Sequence, residues 1–269
     1  MAYFAKINIR ACPEHSEGMT VFMTTGKLYI TATPIGNLGD ITLRALETLK
    51  SVDFILCEDT RVTKNLLNHY EIVKPMISYH QHSDAKKVKE IIGLLESGKN
   101  LALVTDAGTP GISDPGNLLI RSVIASVAKQ SPIQEIAETV PNEVRDITSR
   151  NDNIVPIPGP SAVTAALSIS GFPTDKFLFL GFPPHKNKRQ KFFKEVAAAD
   201  YTVAFYESGH RVLKCLGELK KLLDPRRQIC VCRELTKKFE TVYRGSIAEV
   251  AENMKDERGE FVVLIKNYQ

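Results

Sequence analysis

The chain has 269 residues, 43% hydrophobic and 25% charged, enough to bury one large core or two modest ones. Its formal net charge of +4 allows a phosphate-rich partner without demanding one. Five cysteines without regular spacing point to a reducing compartment. With no apolar run of roughly 18 residues and no signal-peptide core, a cytoplasmic protein without a membrane span is expected.

Residues 1–25, with the polar, turn-rich stretch Cys12–Gly18, show no helical or alternating period and are expected to form a poorly ordered extension. From there strands and helices alternate. Leu28–Ala32 reads as a buried strand ending in the turn Thr33-Pro34-Ile35-Gly36-Asn37-Leu38-Gly39. Asp40 is the expected N-cap of a helix with Leu43, Leu46 and Leu49 on one face. Phe54–Cys57 and Met76–Tyr79 read as the next strands. Val88, Ile91, Ile92 and Leu95 give the following helix an i, i+3, i+4, i+7 apolar stripe. Strand Leu101–Val104 then stops in Thr105-Asp106-Ala107-Gly108-Thr109-Pro110-Gly111-Ile112-Ser113-Asp114-Pro115-Gly116. Glycine lets a ligand approach the backbone, and the C-terminal end of a parallel strand is where open α/β sheets bind ligands.

After Gly116 the alternation breaks. Asn117–Ile157 holds 41 residues, about twice what a crossover helix and its turns need. Residues 122–151 are therefore expected to be an inserted segment within a first domain spanning 26–172. Ile154–Ile157 resumes as a strand, and Pro158-Gly159-Pro160-Ser161-Ala162 opens a helix whose free N–H groups suit an anionic or carboxylate ligand. A second domain, 173–269, follows. Strands are expected near 176–180, 202–206, 229–234, 241–244 and 261–265, with helices over 190–198 and 211–223. Ser246 and Glu249 have capping-box spacing. Cys230 and Cys232 point to one face of a strand and read as core thiols. The expected fold class is α/β, with two αβ domains and mostly parallel or mixed sheets.

The run TDAGTPGISDPG over 105–116 does not stand alone. It occurs with TPIGNLGD at Thr33–Asp40, EDTR at Glu58–Arg61, PGPSA at Pro158–Ala162, FYES at Phe205–Ser208, HR at His210–Arg211, RELTK at Arg233–Lys237 and GEFV at Gly259–Val262. In this order and over nearly the whole chain, the set resembles the tetrapyrrole methylase superfamily. Within it the chain is most similar to the ribosomal RNA small-subunit methyltransferase I group, which methylates a cytidine ribose 2′-hydroxyl. The resemblance implies S-adenosylmethionine as cofactor, a cofactor cleft between two domains, RNA of the small ribosomal subunit as substrate and a homodimer. Carried over residue by residue, it implies cofactor contacts at Pro34, Asp106, Gly108, Thr109, Pro110, Ser113, Ser161, Ala162, Tyr206 and Thr236.

Methyl transfer from an activated sulfonium asks the protein to position the partners and to take the acceptor's proton. Asp59 or Glu58 is expected to accept that proton, with Arg61 holding a phosphate. The alternative is that these charges pair with each other and orient their loop. His185–Lys194 carries five Lys/Arg and no acid, beside Phe192 and Phe193. Basic groups next to aromatics suit phosphate contact with base stacking, so Lys186, Lys188, Arg189 and Lys191 are expected to touch RNA. The alternative is a solvated helix face with both phenylalanines in the core. Gly209 stands where relatives usually carry proline, which is expected to loosen that turn. Two other functional readings stay open: a methylase acting on a tetrapyrrole or other small molecule, and an RNA-binding relative that has lost catalysis.

Overall fold

The described residues form ten strands in two five-stranded sheets. The structure, a computed structural model, describes residues 25–80, 83–114, 116–130, 153–254 and 256–267. In the first sheet β1 (Leu28–Thr31), β2 (Phe54–Cys57), β3 (Met76–Ser78), β4 (Leu101–Leu103) and β5 (Ile154–Ile157) are all parallel, in the order β3-β2-β4-β1-β5. Helices cover both faces, as the near-continuous apolar strands require. On one face Leu28, Leu56, Leu101 and Leu103 pack on Ile91 and Leu95 of α3 (Ala85–Glu96) and on Leu119 and Val123 of α4 (Gly116–Gln130). On the other, Ile55, Cys57 and Ala102 meet Leu49 of α1 (Leu43–Ser51) and Leu67 of α2 (Thr60–His69).

The second sheet is mixed. β6 (Phe177–Phe179) runs parallel to β7 (Thr202–Ser208), while β8 (Gln228–Arg233), β9 (Thr241–Ser246) and β10 (Glu260–Ile265) pair antiparallel in the order β6-β7-β10-β8-β9. One face carries Phe205, Val231 and Val263 against α6 (Arg189–Ala198), α7 (Gly209–Lys220) and α8 (Ile247–Asn253). The opposite face is covered by α5 (Ala162–Ser170), which follows β5 of the first sheet. Its Val163, Ala166 and Leu167 pack with Ala204, Cys230, Cys232, Val262 and Leu264. Cys230 and Cys232 are buried as core thiols, with their sulfurs 3.8 Å apart.

Local signals decided most boundaries, and a few expectations fail for identifiable reasons. Asp40 does not cap α1. It closes a 3-10 turn over Leu38–Asp40, and Thr42 is the cap, its Oγ1 accepting from Ala45 N at 3.1 Å. Leu43, at the helix start, is 80% exposed, whereas Ala45, Thr48 and Leu49 face the core. The capping box at Ser246 and Glu249 is present as expected. Residues 122–130, assigned to the inserted segment, continue α4, and Val123 is buried in the first core. The rest of that segment and residues 1–24 lie outside the described residues. No described helix is long and apolar enough to cross a membrane.

The basic run divides. Lys186, Lys188 and Lys191 are exposed, but Arg189 is buried. It pairs with Glu218 at 2.8 Å and Glu207 at 3.5 Å, which removes it from the expected RNA-contacting set. Phe192 and Phe193 pack in the second core, with ring centroids 5.4 Å apart and edge to face. They are not available for base stacking.

Gly209 pins its turn and does not loosen it. Its N–H donates to the Gly259 carbonyl at 2.9 Å, a bond that proline cannot make. A Cβ at this position meets the Glu257 carbonyl oxygen at 2.1 Å, far inside contact distance. That neighbouring loop is itself held, because Arg233 Nε donates to the Arg258 carbonyl at 2.8 Å. Gly209→Ala is therefore expected to lower stability by about 1–3 kcal/mol, as overpacking does. Urea unfolding of the two proteins measures this, and an unchanged midpoint contradicts the close approach.

Candidate functional site

The parallel sheet sends the chain in opposite directions after β1 and β4, two neighbouring strands, so their following loops share the crevice at the strand ends. The loops are stitched together. Thr33 N donates to the Gly108 carbonyl at 2.9 Å, and Gly108 N to the Thr33 carbonyl at 3.1 Å. Thr33 Oγ1 donates to the Thr105 carbonyl at 3.1 Å. Gly108 lies at φ +87°, where a residue with a Cβ loses about 1–2 kcal/mol. A Cβ there meets nothing nearer than Ile35 Cγ2 at 3.4 Å, so backbone angle and not space calls for glycine. Asp114 Oδ1 closes the loop by accepting from Gly111 N at 2.6 Å and Gly116 N at 3.0 Å.

Thr109 Oγ1 donates to the Pro160 carbonyl at 3.1 Å and ties this loop to the turn that opens α5. The N-cap Ser161 makes no side-chain cap of its own. Facing it from β7 is Tyr206. Burial pushes the Tyr206 phenol up, against opposing hydrogen bonds from the Val163 N–H and the Ser161 hydroxyl. The second sheet supplies the other wall through β10 and the loop after β8. In that loop Glu234 and Thr236 sit at φ +51° and +65°, backbone strain of the kind that collects at functional sites. Thr236 Oγ1 accepts from Asn37 N at 3.2 Å, which joins the two halves. Lys237 lies between Glu234 at 3.0 Å and Glu260 at 2.8 Å. A Cβ on Gly36 meets Lys237 Cγ at 2.3 Å, so glycine there permits the approach.

The cleft between these walls has a volume of about 500 Å³, within the usual range of small-molecule sites. Asp106, Gly108, Thr109, Ser113, Ser161, Ala162 and Tyr206 line it, all residues singled out from the sequence. Pro34 and Pro110 are buried beside it, and Thr236 stands at the seam between the halves. Asp59 and Arg61 are placed differently from their expected roles. Asp59 caps α2, with Oδ1 accepting from Arg61 N at 2.8 Å, and its carboxylate pairs with the Arg61 guanidinium at 2.6 Å. Those Arg61 hydrogen bonds hold its carboxyl at about 2, which makes it a weak proton acceptor. The charges pair and orient the loop, and the Asp59 backbone N–H donates to Asp106 Oδ1 at 3.1 Å.

Glu58 is the carboxyl of this segment that faces the cleft. Burial raises its pKa, and the negative charges of Asp106 and Asp114 raise it further. Thr105 Oγ1 donates to Glu58 Oε2 at 3.4 Å. From the second half, Glu207 reaches the cleft from β7 while only 1% exposed. Its Oε1 pairs with Arg211 at 2.6 Å and accepts from Ser208 N at 2.9 Å.

Sequence reasoning did not single out Ile35, Phe182, Leu235, Lys237 or Val262, all of which line the cleft. For Phe182 a signal existed. Gly181-Phe182-Pro183-Pro184 follows a strand and is dense in glycine and proline, the property that marked the loop after β4.

The model of the family described as Tetrapyrrole (Corrin/Porphyrin) Methylases matches residues 27–134 and 135–251. The chain is 42% identical over 245 residues to the ribosomal RNA small subunit methyltransferase I of Synechocystis sp., covering 89% of this chain and 78% of that protein. It is 38% identical over 242 residues to the protein of the same name from Thermotoga maritima, covering 89% and 98%. In fold it is similar to the methyltransferase CobJ, with a TM-score of 0.61, 18% identity and coverage of 91% and 95%. It is also similar to the uroporphyrin-III C-methyltransferase of Thermus thermophilus complexed with S-adenosylhomocysteine. There the TM-score is 0.56, the identity 16% and the coverage 90% and 97%.

Asp114 is the lock on the loop after β4, because one carboxylate oxygen holds two backbone N–H groups. Asp114→Ala is expected to speed amide exchange at Gly111 and Gly116 at least tenfold, about 1.4 kcal/mol of local opening. The Leu101–Leu103 amides should stay protected. Unchanged exchange at both glycines contradicts the lock.

Proposed function

The chain belongs to the tetrapyrrole (corrin/porphyrin) methylase family, and we propose that it transfers a methyl group from S-adenosylmethionine to the ribose 2′-hydroxyl of a cytidine in small-subunit ribosomal RNA. The observation that carries this reading is the likeness to small-subunit methyltransferases along almost the whole chain. The donor set of the cleft fits the cofactor. Asp106 and Asp114 offer negative charge to an amino group and a sulfonium, and Ile35, Leu235 and Val262 offer an apolar wall to a purine. Gly108 lets a ligand approach the backbone. When bound, the cofactor supplies a methyl group already activated on a positively charged sulfur.

The chain's own residues then orient the acceptor, exclude water and take its proton. Glu58 is the proton acceptor in this reading, because it faces the cleft and its carboxylate is more basic than an unperturbed one. Asp59 and Arg61 position the Glu58 segment and the Asp106 carboxylate through their pairing. Lys186, Lys188 and Lys191 are exposed and contact RNA phosphates. The enzyme works in the cytoplasm as a homodimer, which light scattering of the purified protein checks.

Labelled methyl incorporation into small subunits from cells lacking the protein tests the reading. Transfer to a cytidine 2′-oxygen is expected. Cofactor binding without transfer redirects the assignment to a small-molecule acceptor, and absence of both points to a protein that only binds RNA. Glu58→Gln is expected to lower kcat by roughly 10²–10⁴, the usual contribution of a general base. In the parent, kcat should fall with acidification through a pKa above the ordinary glutamate value near 4.3, because the carboxylate form is needed. A Glu58→Gln enzyme with parental kcat removes Glu58 from the mechanism.

A further inference from the structure

Phe182 stands at the cleft with half of its surface exposed and takes no part in either core. Its ring centroid lies 5.3 Å from that of Tyr206, at a 58° tilt. The turn that carries it is held from several sides. Gly181, at φ +64°, accepts from Tyr206 N at 2.8 Å and leaves only 3.1 Å between an added Cβ and Ser113 Oγ of the opposite wall. The Pro183 carbonyl accepts from Arg211 Nη1 at 3.3 Å, and the Pro184 carbonyl from Arg189 Nη1 at 3.2 Å. Both guanidiniums pair with the buried Glu207, at 2.6 Å and 3.5 Å. A buried charge network therefore supports a turn whose central side chain is an exposed aromatic ring.

Such a ring is what an unstacked base requires, since base–aromatic stacking is strong and tolerant of sequence. Gripping the base of the target nucleotide fixes where its ribose 2′-hydroxyl sits, and positioning is most of what methyl transfer asks of the protein. The exposed Lys186 follows four residues after Phe182, at most about 14 Å along the chain, with Lys188 and Lys191 beyond it. One continuous segment thus presents an aromatic face at the cleft and positive charge outside it. We propose that Phe182 is the platform on which the base of the target cytidine stacks, with Arg189, Arg211 and Glu207 as the positioning residues that hold it. The proposal rests on the reading of the chain as an RNA methylase and adds how that site grips its substrate.

The test compares the parent with Phe182→Ala and Phe182→Tyr for S-adenosylhomocysteine affinity and for KM and kcat on small subunits lacking the modification. Phe182→Ala is expected to bind S-adenosylhomocysteine as the parent does and to raise KM for subunits tenfold or more. Phe182→Tyr should restore the parental KM. A Phe182→Ala enzyme as active as the parent overturns the stacking role while leaving the methylase reading intact. An equal loss of S-adenosylhomocysteine affinity also overturns it, by making the ring a wall for the cofactor. A parent that transfers no methyl group to subunits overturns both.

Discussion

The burial of α5 on the second sheet is the interaction on which the site depends. The helix is reached from β5 of the first sheet, yet Val163, Ala166 and Leu167 lie against Ala204, Val262 and Leu264 of the second. Burying a Val or Leu side chain fully is worth about 1.5–3 kcal/mol, so this contact welds the halves together. Arg244 Nη2 adds a donor to the Ile169 carbonyl at 2.5 Å, a cation at the end of the helix where the dipole favours one. With its body fixed on one sheet and its entry fixed by the other, the helix holds Ser161 at the crevice beside Tyr206 and the loop after β4. The Asn37–Thr236 bond and the tight approach of Lys237 to Gly36 lie on the same seam.

The two walls differ in how their charge is balanced. In the second half, Lys237 is shared by Glu234 and Glu260, and Glu207 by Arg189 and Arg211. On the first wall burial raises Glu58, and its carboxylate neighbours Asp106 and Asp114 raise it further, an arrangement that favours a cationic ligand or a bound proton. Asp59 is exempt because Arg61 lies beside it. The proposed proton acceptor, Glu58, and a helix-capping carboxylate, Asp59, thus occupy successive positions, separated by the environment each side chain enters.

The loop after β4 and the opening of α5 were legible in the sequence because glycine and proline report backbone demands directly. Gly108 and Gly111 do occupy positive φ, at +87° and +88°. The alternation of strands with helices was equally plain, since buried parallel strands leave continuous apolar runs. The choice between Glu58 and Asp59 was not, because it turns on which side chain caps a helix and which faces the cleft. Arg189 was expected at the surface although its spacing placed it inside: with Phe192, Phe193 and Val196 it falls at i, i+3, i+4 and i+7, the core-facing stripe of α6. What the sequence withheld was its partner Glu207, distant in the chain and likewise buried. The roles of the individual cleft residues rest on this placement.

Both halves of the chain line one cleft, so a single ligand bound there should touch both. Amide hydrogen exchange with and without S-adenosylhomocysteine tests this most directly. Ligand is predicted to protect amides of the 105–114 loop in the first half and of 234–237 in the second, at the same saturating concentration. Protection confined to one half, or absent from both, contradicts a cofactor site shared by the two halves.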